Sequence, residues 1–384
     1  MGVDTTVTPT HQPIRQLAPQ VIERIAAGET IERPASVVKE LVENAIDAGA
    51  RQITVELRGG GTRSIKVSDD GAGIPADELE LAFARHATSK LRAADDLYQI
   101  GSLGFRGEAL ASIGAMGETL LISAADESGE GAGVLVGNGA VIERFTRARS
   151  RGTTVTVRAL FATVPARQKF LRPARTESAQ ISTIVRRYAL GRPDIRFRLI
   201  LDGHLSFASE GTGDLAGALA AVYGRQLART LLPLPETAAG EARISGVISG
   251  SQLHRPSRRQ VAFFVNRRAA TPRGLADALE AAYRPYFPRG RHPLAAIFID
   301  LPPDAVDVNV HPAKSEVQLL PEAAIAAALT EAVRAVLTRH EGARRQAGLQ
   351  LEALRNLPPG VARIAEQPAP WENDAAPAEP ANPV

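Results

Sequence analysis

Glu40 and Asn44 stand four residues apart in the run Lys39-Glu40-Leu41-Val42-Glu43-Asn44-Ala45-Ile46-Asp47-Ala48-Gly49. On a helix that spacing stacks a carboxylate and a carboxamide on one face, where both can meet a single ligand. Val38, Leu41, Val42 and Ala45 point roughly the other way and would anchor the helix in a core, and Gly49 supplies a stop. A second polar cluster, Asp69-Asp70-Gly71-Ala72-Gly73, follows a strand-like run. Its acidic side chain is trailed by two glycines that let backbone approach a flat ligand closely, although the same five residues would also serve as an ordinary turn. A third, Gly101-Ser102-Leu103-Gly104-Phe105-Arg106-Gly107-Glu108-Ala109, precedes an apolar helical start at Leu110. Backbone N–H groups at such a junction can cradle phosphates. No Gly-Lys pair occurs in the chain, so it is not a Walker loop, and any nucleotide is bound another way.

The elements that must position these groups are legible from periodicity. A helix is expected from Pro19 to Ala27, stopped by Gly28, and the Glu40 helix follows almost at once. Ile53, Val55 and Leu57, then Ile65 and Val67, alternate as two strands joined by Gly59-Gly60-Gly61, and the second delivers the Asp69 loop. Further strands are expected at 119–124, 133–136 and 153–158, a helix through Ile181, Ile184, Val185 and Tyr188, and a hairpin at Asp202-Gly203. Helices with a largely antiparallel sheet indicate an α+β layered fold. Gly211 to Gly213 marks a boundary. Beyond it come strands at 242–249, 260–266, 294–301 and 316–320, with helices at 273–283 and 322–340. The expected organisation is a flexible N-terminus (1–15), a first domain (16–213), a second α/β domain (214–340) and a Pro/Ala-rich linker or tail (341–384).

Composition narrows the class. The chain has 384 residues, 44% of them hydrophobic, enough for two cores. No apolar run reaches membrane-span length, the N-terminus carries no hydrophobic signal segment, and there are no cysteines, so disulfides, thiolate metal sites and cysteine nucleophiles are excluded. A cytoplasmic protein is expected. The net charge of +3 conceals an asymmetry: residues 142–200 hold 14 Lys and Arg against 3 Asp and Glu, and residues 252–292 hold 9 against 2. Acid-poor basic segments suit a polyanion such as DNA, although a general preference for arginine over lysine would enrich Arg without any nucleic acid.

The order of motifs adds a resemblance. Ala26-Ala27-Gly28-Glu29, Glu32 to Asn44, Ala84-Arg85-His86-Ala87-Thr88-Ser89-Lys90, Leu103 to Leu110, Gly152-Thr153-Thr154 and Val308-Asn309-Val310-His311-Pro312-Ala313-Lys314 together resemble the ATPase region of the MutL family of DNA mismatch-repair proteins, over about residues 15–340. That family belongs to the superfamily of gyrase, the heat-shock chaperone and histidine kinases. The resemblance implies a two-layer α/β sandwich of the Bergerat type, then a smaller ribosomal-protein-like α/β domain. It implies a Mg2+-dependent ATPase in which Glu40 is the general base and Asn44 holds Mg2+ on the triphosphate, roles that a carboxylate and a carboxamide oxygen suit. Asp69 would bind the adenine amino group with Thr154 close by, and Gly71 and Gly73 would give access. Residues 84–107, including Thr88, Ser89, Lys90, Gly104, Phe105, Arg106 and Gly107, would form a lid over the phosphates, and Lys314 would reach the γ-phosphate from the second domain. His86 and His311 lack metal-like spacing and are read as structural, and Glu43 is read as a solvated or interdomain charge.

The resemblance further implies slow hydrolysis used as a timer, ATP-dependent pairing of two copies, and a relay from MutS to downstream nuclease and helicase partners on DNA. Arg167, Lys169, Arg267 and Arg268 are the DNA-contact candidates. A DNA clamp with incidental hydrolysis and a topoisomerase-type ATPase subunit are the alternative readings, and the Leu103 to Leu110 run argues against the latter. Three places depart from the family pattern: Asp70 stands where Asn is usual, the segment Leu160 to Arg167 has Ala162 and Thr163 where an aromatic and an Asn are usual, and Asn266-Arg267-Arg268 replaces Asn-Gly-Arg. The resemblance stops before the family's C-terminal dimerisation domain, so no nuclease chemistry is expected of this chain.

Overall fold

The computed structural model describes residues 15–16, 26–90, 103–104, 107–307 and 318–355. The Glu40 helix, α1, runs Pro34–Asp47 with proline in its first turn, where a missing N–H costs nothing. It ends as its composition dictates: Gly49 takes φ 73° and donates to the Ile46 carbonyl at 3.0 Å, while Ala50 donates to Ala45 at 3.1 Å. Val37, Val38, Leu41, Val42, Ala45 and Ile46 are buried along one side. They share a core with Ile53, Val55, Leu57, Ile65 and Val67 and with Ile181, Val185 and Ala189 of the helix Ala174–Gly191.

The strands beneath form an eight-stranded sheet: β1 (Gln52–Arg58), β2 (Ser64–Asp69), β3 (Glu118–Ala124), β4 (Glu130–Gly137), β5 (Ala140–Ala148), β6 (Gly152–Arg158), β7 (Arg196–Leu201) and β8 (His204–Ala208). Their spatial order is β5-β4-β3-β6-β2-β1-β7-β8, antiparallel throughout except for the parallel β1–β7 pair. In β1 every second residue is buried. The alternate face carries Glu56, paired across the strands with Lys66 at 2.8 Å. A fold with helices and a largely antiparallel sheet is thus present, and β6 lies beside β2 so that Thr154 pairs with Ser68 next to the Asp69 loop.

A second sheet of five strands follows. It runs, edge to edge, Arg268–Ala270, Val261–Val265, Ala295–Asp300, Ala242–Ser249 and Leu231–Ala239, with Val261–Val265 parallel to Ala295–Asp300 and the other pairs antiparallel. The chain divides into two compact units after Val333, and both sheets lie in the first. Two expectations are corrected here. Residues 26–30 are helical, so Gly28 does not stop the first helix; its missing side chain instead makes room for Arg167, whose Nη2 would lie 2.7 Å from a Cβ. The last helix runs Glu322–Arg355 rather than ending at His340, because the Ala, Glu, Arg, Gln and Leu of its final turns are strong helix formers.

Candidate functional site

The C-terminal half of α1 is the organising element. Asn44 and Asp47 lie one turn apart, and Lys90 bridges them: its Nζ donates to Asn44 Oδ1 at 2.8 Å and to Asp47 Oδ2 at 2.6 Å. The Asp47 carboxylate also accepts two consecutive backbone N–H groups of the glycine loop, Leu103 at 2.8 Å on Oδ1 and Gly104 at 3.0 Å on Oδ2. Gly104 is buried against this cluster; a Cβ there would lie 3.3 Å from Lys90 Nζ and 3.6 Å from Asn44 Oδ1. Gly107 packs against Ala87, where a Cβ would approach the carbonyl to 2.6 Å. The Thr88-Ser89-Lys90 turn and the glycine loop are thereby gathered over one helix face, with Thr88 Oγ1 accepting the Lys90 N–H at 3.2 Å. Ser89 is exposed and Glu40 half-buried, one turn before Asn44.

The Asp69 loop hangs from the end of the same helix. Ala72 donates to the Ala48 carbonyl at 2.9 Å, and Gly71 sits so close that a Cβ would meet Ala48 at 2.9 Å. Gly73 has φ 75°, and a Cβ there would lie 2.0 Å from the Ala124 carbonyl oxygen, so backbone packs directly on backbone. Asp69 Oδ1 accepts from Gly71 N–H at 2.9 Å and Thr153 N–H at 3.3 Å. Burial pushes its carboxyl up from the ordinary range, opposed by those two N–H donors and by Arg149. Thr154, buried, donates to Ser68 Oγ at 3.0 Å and accepts from Arg149 at 2.6 Å.

Two residues escaped the sequence reading, Asp47 and Arg149. Asp47 is the hub of the loop contacts; its signal was its place three residues after Asn44 on the same face. Arg149, read only as part of a basic segment, donates to the Gly152 carbonyl, Thr154 Oγ1 and the Asp69 carbonyl, tying β6 to the Asp69 loop. Asp70, which stands where the family usually has Asn, adds a negative charge that helps push the Asp69 carboxyl up, while its Oδ1 accepts the N–H groups of Arg51 and Gln52, both at 2.8 Å, and fixes the entry to β1.

Other expectations need correction. Glu43 is not a solvated charge. It is 3% exposed, accepts from Tyr188 Oη at 2.7 Å, and lies 3.9 Å from Lys39. Burial raises its carboxyl from the ordinary 4.5, with Lys39 opposing. Arg268 does not face outward: it is 8% exposed and donates to the Leu103 carbonyl at 3.0 Å. Arg167 is half-buried and donates to the Ile31 carbonyl at 3.1 Å, so its charge serves the segment before α1. Of the four DNA-contact candidates, Lys169 and Arg267 are exposed. His86 sits 3.7 Å from Glu108. Phe105, Arg106, His311 and Lys314 lie outside the described residues.

Comparison with known proteins agrees with this arrangement. Residues 31–132, which include α1 and the Asp69 and glycine loops, match the family model of histidine kinase-, DNA gyrase B-, and HSP90-like ATPases, and residues 219–338 match DNA mismatch repair protein, C-terminal domain. DNA mismatch repair protein MutL of Acidiphilium cryptum is 47% identical over 325 residues, 85% of this chain and 55% of that protein. Its counterpart in Symbiobacterium thermophilum is 45% identical over 324 residues, 84% of this chain and 51% of that protein. The chain therefore spans about half the length of these relatives. Among solved structures, the N-terminal domain of a DNA repair protein has a TM-score of 0.72 at 26% identity, covering 83% of this chain and 98% of that one. The Aquifex aeolicus MutL ATPase domain complexed with ADP has a TM-score of 0.54 at 25% identity, covering 71% and 93%. No described helix is long and apolar enough to cross a membrane. With its core motifs assembled at one helix end and its similarity running through both sheets, the chain belongs to the MutL family of DNA mismatch repair proteins and corresponds to that family's N-terminal ATPase region.

Proposed function

We propose that the chain binds ATP with Mg2+ and hydrolyses it slowly, as the nucleotide-driven part of a mismatch-repair protein. The observation that carries this reading is the convergence on one helix face of a carboxamide, a carboxylate, a lysine and two glycine-loop N–H groups, within reach of an anchored carboxylate at the helix end. Asp69 Oδ1 is held by two N–H donors, so Oδ2 is the acceptor for an exocyclic amine. Adenine presents that donor, whereas guanine would set its oxo group, acceptor against acceptor. Asn44 Oδ1 and Asp47 Oδ2 already surround one cation, the Lys90 ammonium, so this donor set suits a hard cation as well. A bound Mg2+ would offset charge on the triphosphate. Glu40, one turn before Asn44 on the same face, takes the proton from the attacking water. Lys90 receives phosphate oxygens, the Leu103 and Gly104 N–H groups hold the glycine loop to Asp47 beside them, and Lys314 would reach the γ-phosphate.

In the longer protein, ATP binding would close the lid and pair two ATPase regions, and hydrolysis would reopen them. Through that cycle mismatch recognition by MutS would be relayed to nuclease and helicase partners on DNA, with Lys169 and Arg267 among the exposed cations that meet phosphate. The test is turnover and light scattering after size exclusion, on the parent and on Glu40→Ala, with Mg2+ and no nucleotide, ADP, ATP or a non-hydrolysable analogue. Glu40→Ala should lose turnover while keeping nucleotide affinity, and should accumulate as a dimer with ATP. Equal turnover in both proteins would remove Glu40 from the chemistry. A parent that stays monomeric with the analogue, although it binds it, would remove pairing from what this region does alone.

A further inference from the structure

The peptide unit on either side of Leu103 is held from two directions by residues distant in sequence. Its N–H donates to Asp47 Oδ1, at the end of α1, at 2.8 Å, and its carbonyl accepts from Arg268 Nη2 at 3.0 Å. Arg268 begins the edge strand Arg268–Ala270 of the second sheet and pairs with Val265 across a two-residue turn. It is 8% exposed, and its charge acts on the buried Glu43 carboxyl and on Tyr188 beneath it. A guanidinium placed there is held by one donor on a backbone oxygen of the glycine loop and lies within electrostatic reach of the buried acid. Leu103 N–H and Gly104 N–H are the groups that Asp47 fixes, so whatever moves the Leu103 carbonyl also re-aims the donors beside it.

We propose that Arg268 is a positioning residue for the glycine loop, and that through the Leu103 carbonyl the second sheet sets where Leu103 and Gly104 stand over the Asn44, Asp47 and Lys90 cluster that would meet the nucleotide. The inference rests on the ATP-binding reading above and adds a coupling route independent of Lys314. It reverses the role assigned to Arg268 from charge alone, since a buried guanidinium donating to a main-chain carbonyl is not offered to a DNA phosphate.

The experiment compares Arg268→Gln, Arg268→Lys and Glu43→Gln with the parent, reading the dissociation constant for a fluorescent ATP analogue, steady-state KM and kcat, DNA affinity, and amide hydrogen exchange in peptides covering Leu103 and Gly104. Losing a charge-assisted bond to the loop should raise the nucleotide dissociation constant and KM of Arg268→Gln on the order of tenfold, with a smaller change in kcat. Exchange at Leu103 and Gly104 should quicken before nucleotide is added, while exchange along α1 stays parental. Arg268→Lys keeps the charge beside Glu43 and should recover part of the affinity, which keeps the test valid if the Gln variant folds poorly. Glu43→Gln leaves the Leu103 contact and should shift affinity less than Arg268→Gln. Parental affinity and parental loop exchange in both Arg268 variants would overturn the inference, as would a loss of DNA affinity with nucleotide binding intact. If the parent itself bound no ATP, the ATP reading would fall, and the exchange data would still decide whether Arg268 holds the loop.

Discussion

Arg267→Gly is expected to stabilise the protein by about 0.5–1 kcal/mol, and the value follows from the turn in which Arg267 stands. Asn266 and Arg267 alone join Val261–Val265 to Arg268–Ala270, with φ 47° and 63°. Two consecutive left-handed residues make a type I′ turn, whose twist matches the flanking strands and for which Asn-Gly is the preferred pair. Asn266 meets the requirement cheaply and is fixed by two bonds to Leu301, Nδ2 to its carbonyl at 2.9 Å and Oδ1 from its N–H at 2.8 Å. Arg267 meets it with a Cβ crowding the following carbonyl, at a cost of about 1–2 kcal/mol. Glycine removes that cost and returns about 0.4–1 kcal/mol through the larger entropy of its unfolded chain. Little packing is forfeited, because Arg267 is exposed, and its attraction for Asp194 is a surface interaction weakened by solvent. Urea denaturation of parent and variant should show a higher midpoint at unchanged m-value, and the melting temperature should rise by about 2 °C. Asn266→Gly is the control: it has little backbone cost to relieve and gives up both Leu301 bonds, so it should lose stability. A variant Arg267→Gly no more stable than the parent would refute the reasoning, because it would mean that residue 267 is not held left-handed.

Glu43→Gln should stabilise the protein most at neutral pH. Burial raises the folded-state carboxyl above its ordinary value of 4.5, so the folded protein binds that proton more tightly than the unfolded chain. Its contribution is then fully present below 4.5 and is lost as pH climbs through the folded value, where an ionised Glu43 must be kept buried. Denaturation curves across that range should show the advantage of Gln shrinking as pH falls, and a pH-independent difference would remove Glu43 as its source. Gly73→Ala should cost more than about 2 kcal/mol and abolish binding of a fluorescent ATP analogue, since a Cβ would stand 2.0 Å from the Ala124 carbonyl oxygen at φ 75°. Parental melting and parental nucleotide titration would show that this loop is not packed on β3.

The parts of the fold that could be read in advance are those whose side chains carry a period. β1 and β2 alternate cleanly because one face is buried under α1 and the helix Ala174–Gly191, and the three glycines between them leave no other place for the turn. β5 was missed because it lies at the sheet edge with nearly every residue exposed, so Glu143, Arg144, Thr146 and Arg147 impose no apolar rhythm. Leu231–Ala239 was missed for the opposite reason: Pro233 and Pro235 argue against a central strand, and the strand is indeed an edge, where a missing N–H disrupts nothing. At the site, Asn44 and Asp69 were legible because their motifs are local. Asp47 as a hub and Arg268 as an inward anchor were not, since each is defined by a partner that sequence separation hides, 56 residues away in one case and 165 in the other.

The same limitation governs how positive charge should be read. Residues 142–200 look like a continuous cationic surface when counted, yet Arg144 pairs with Glu80, Arg149 binds the carbonyl oxygens of Asp69 and Gly152, Arg167 binds Ile31, and Arg186 donates to Val222 at 3.0 Å while lying 4.7 Å over the Phe207 ring. A five-donor guanidinium that satisfies a main-chain carbonyl is doing what lysine does poorly, which gives a structural reason for arginine at these positions and leaves less charge for a polyanion than the count suggests. What remains outward around the short helix Pro165–Lys169 is Lys169, Arg172 and Arg175, beside an almost fully exposed Phe170. A DNA interface on this chain must therefore be argued from the cations that stay exposed, Arg267 and also Arg147, Arg151, Arg158, Arg196 and Arg198 among them, and its salt dependence should reflect the phosphates those side chains reach rather than the formal charge of the segment.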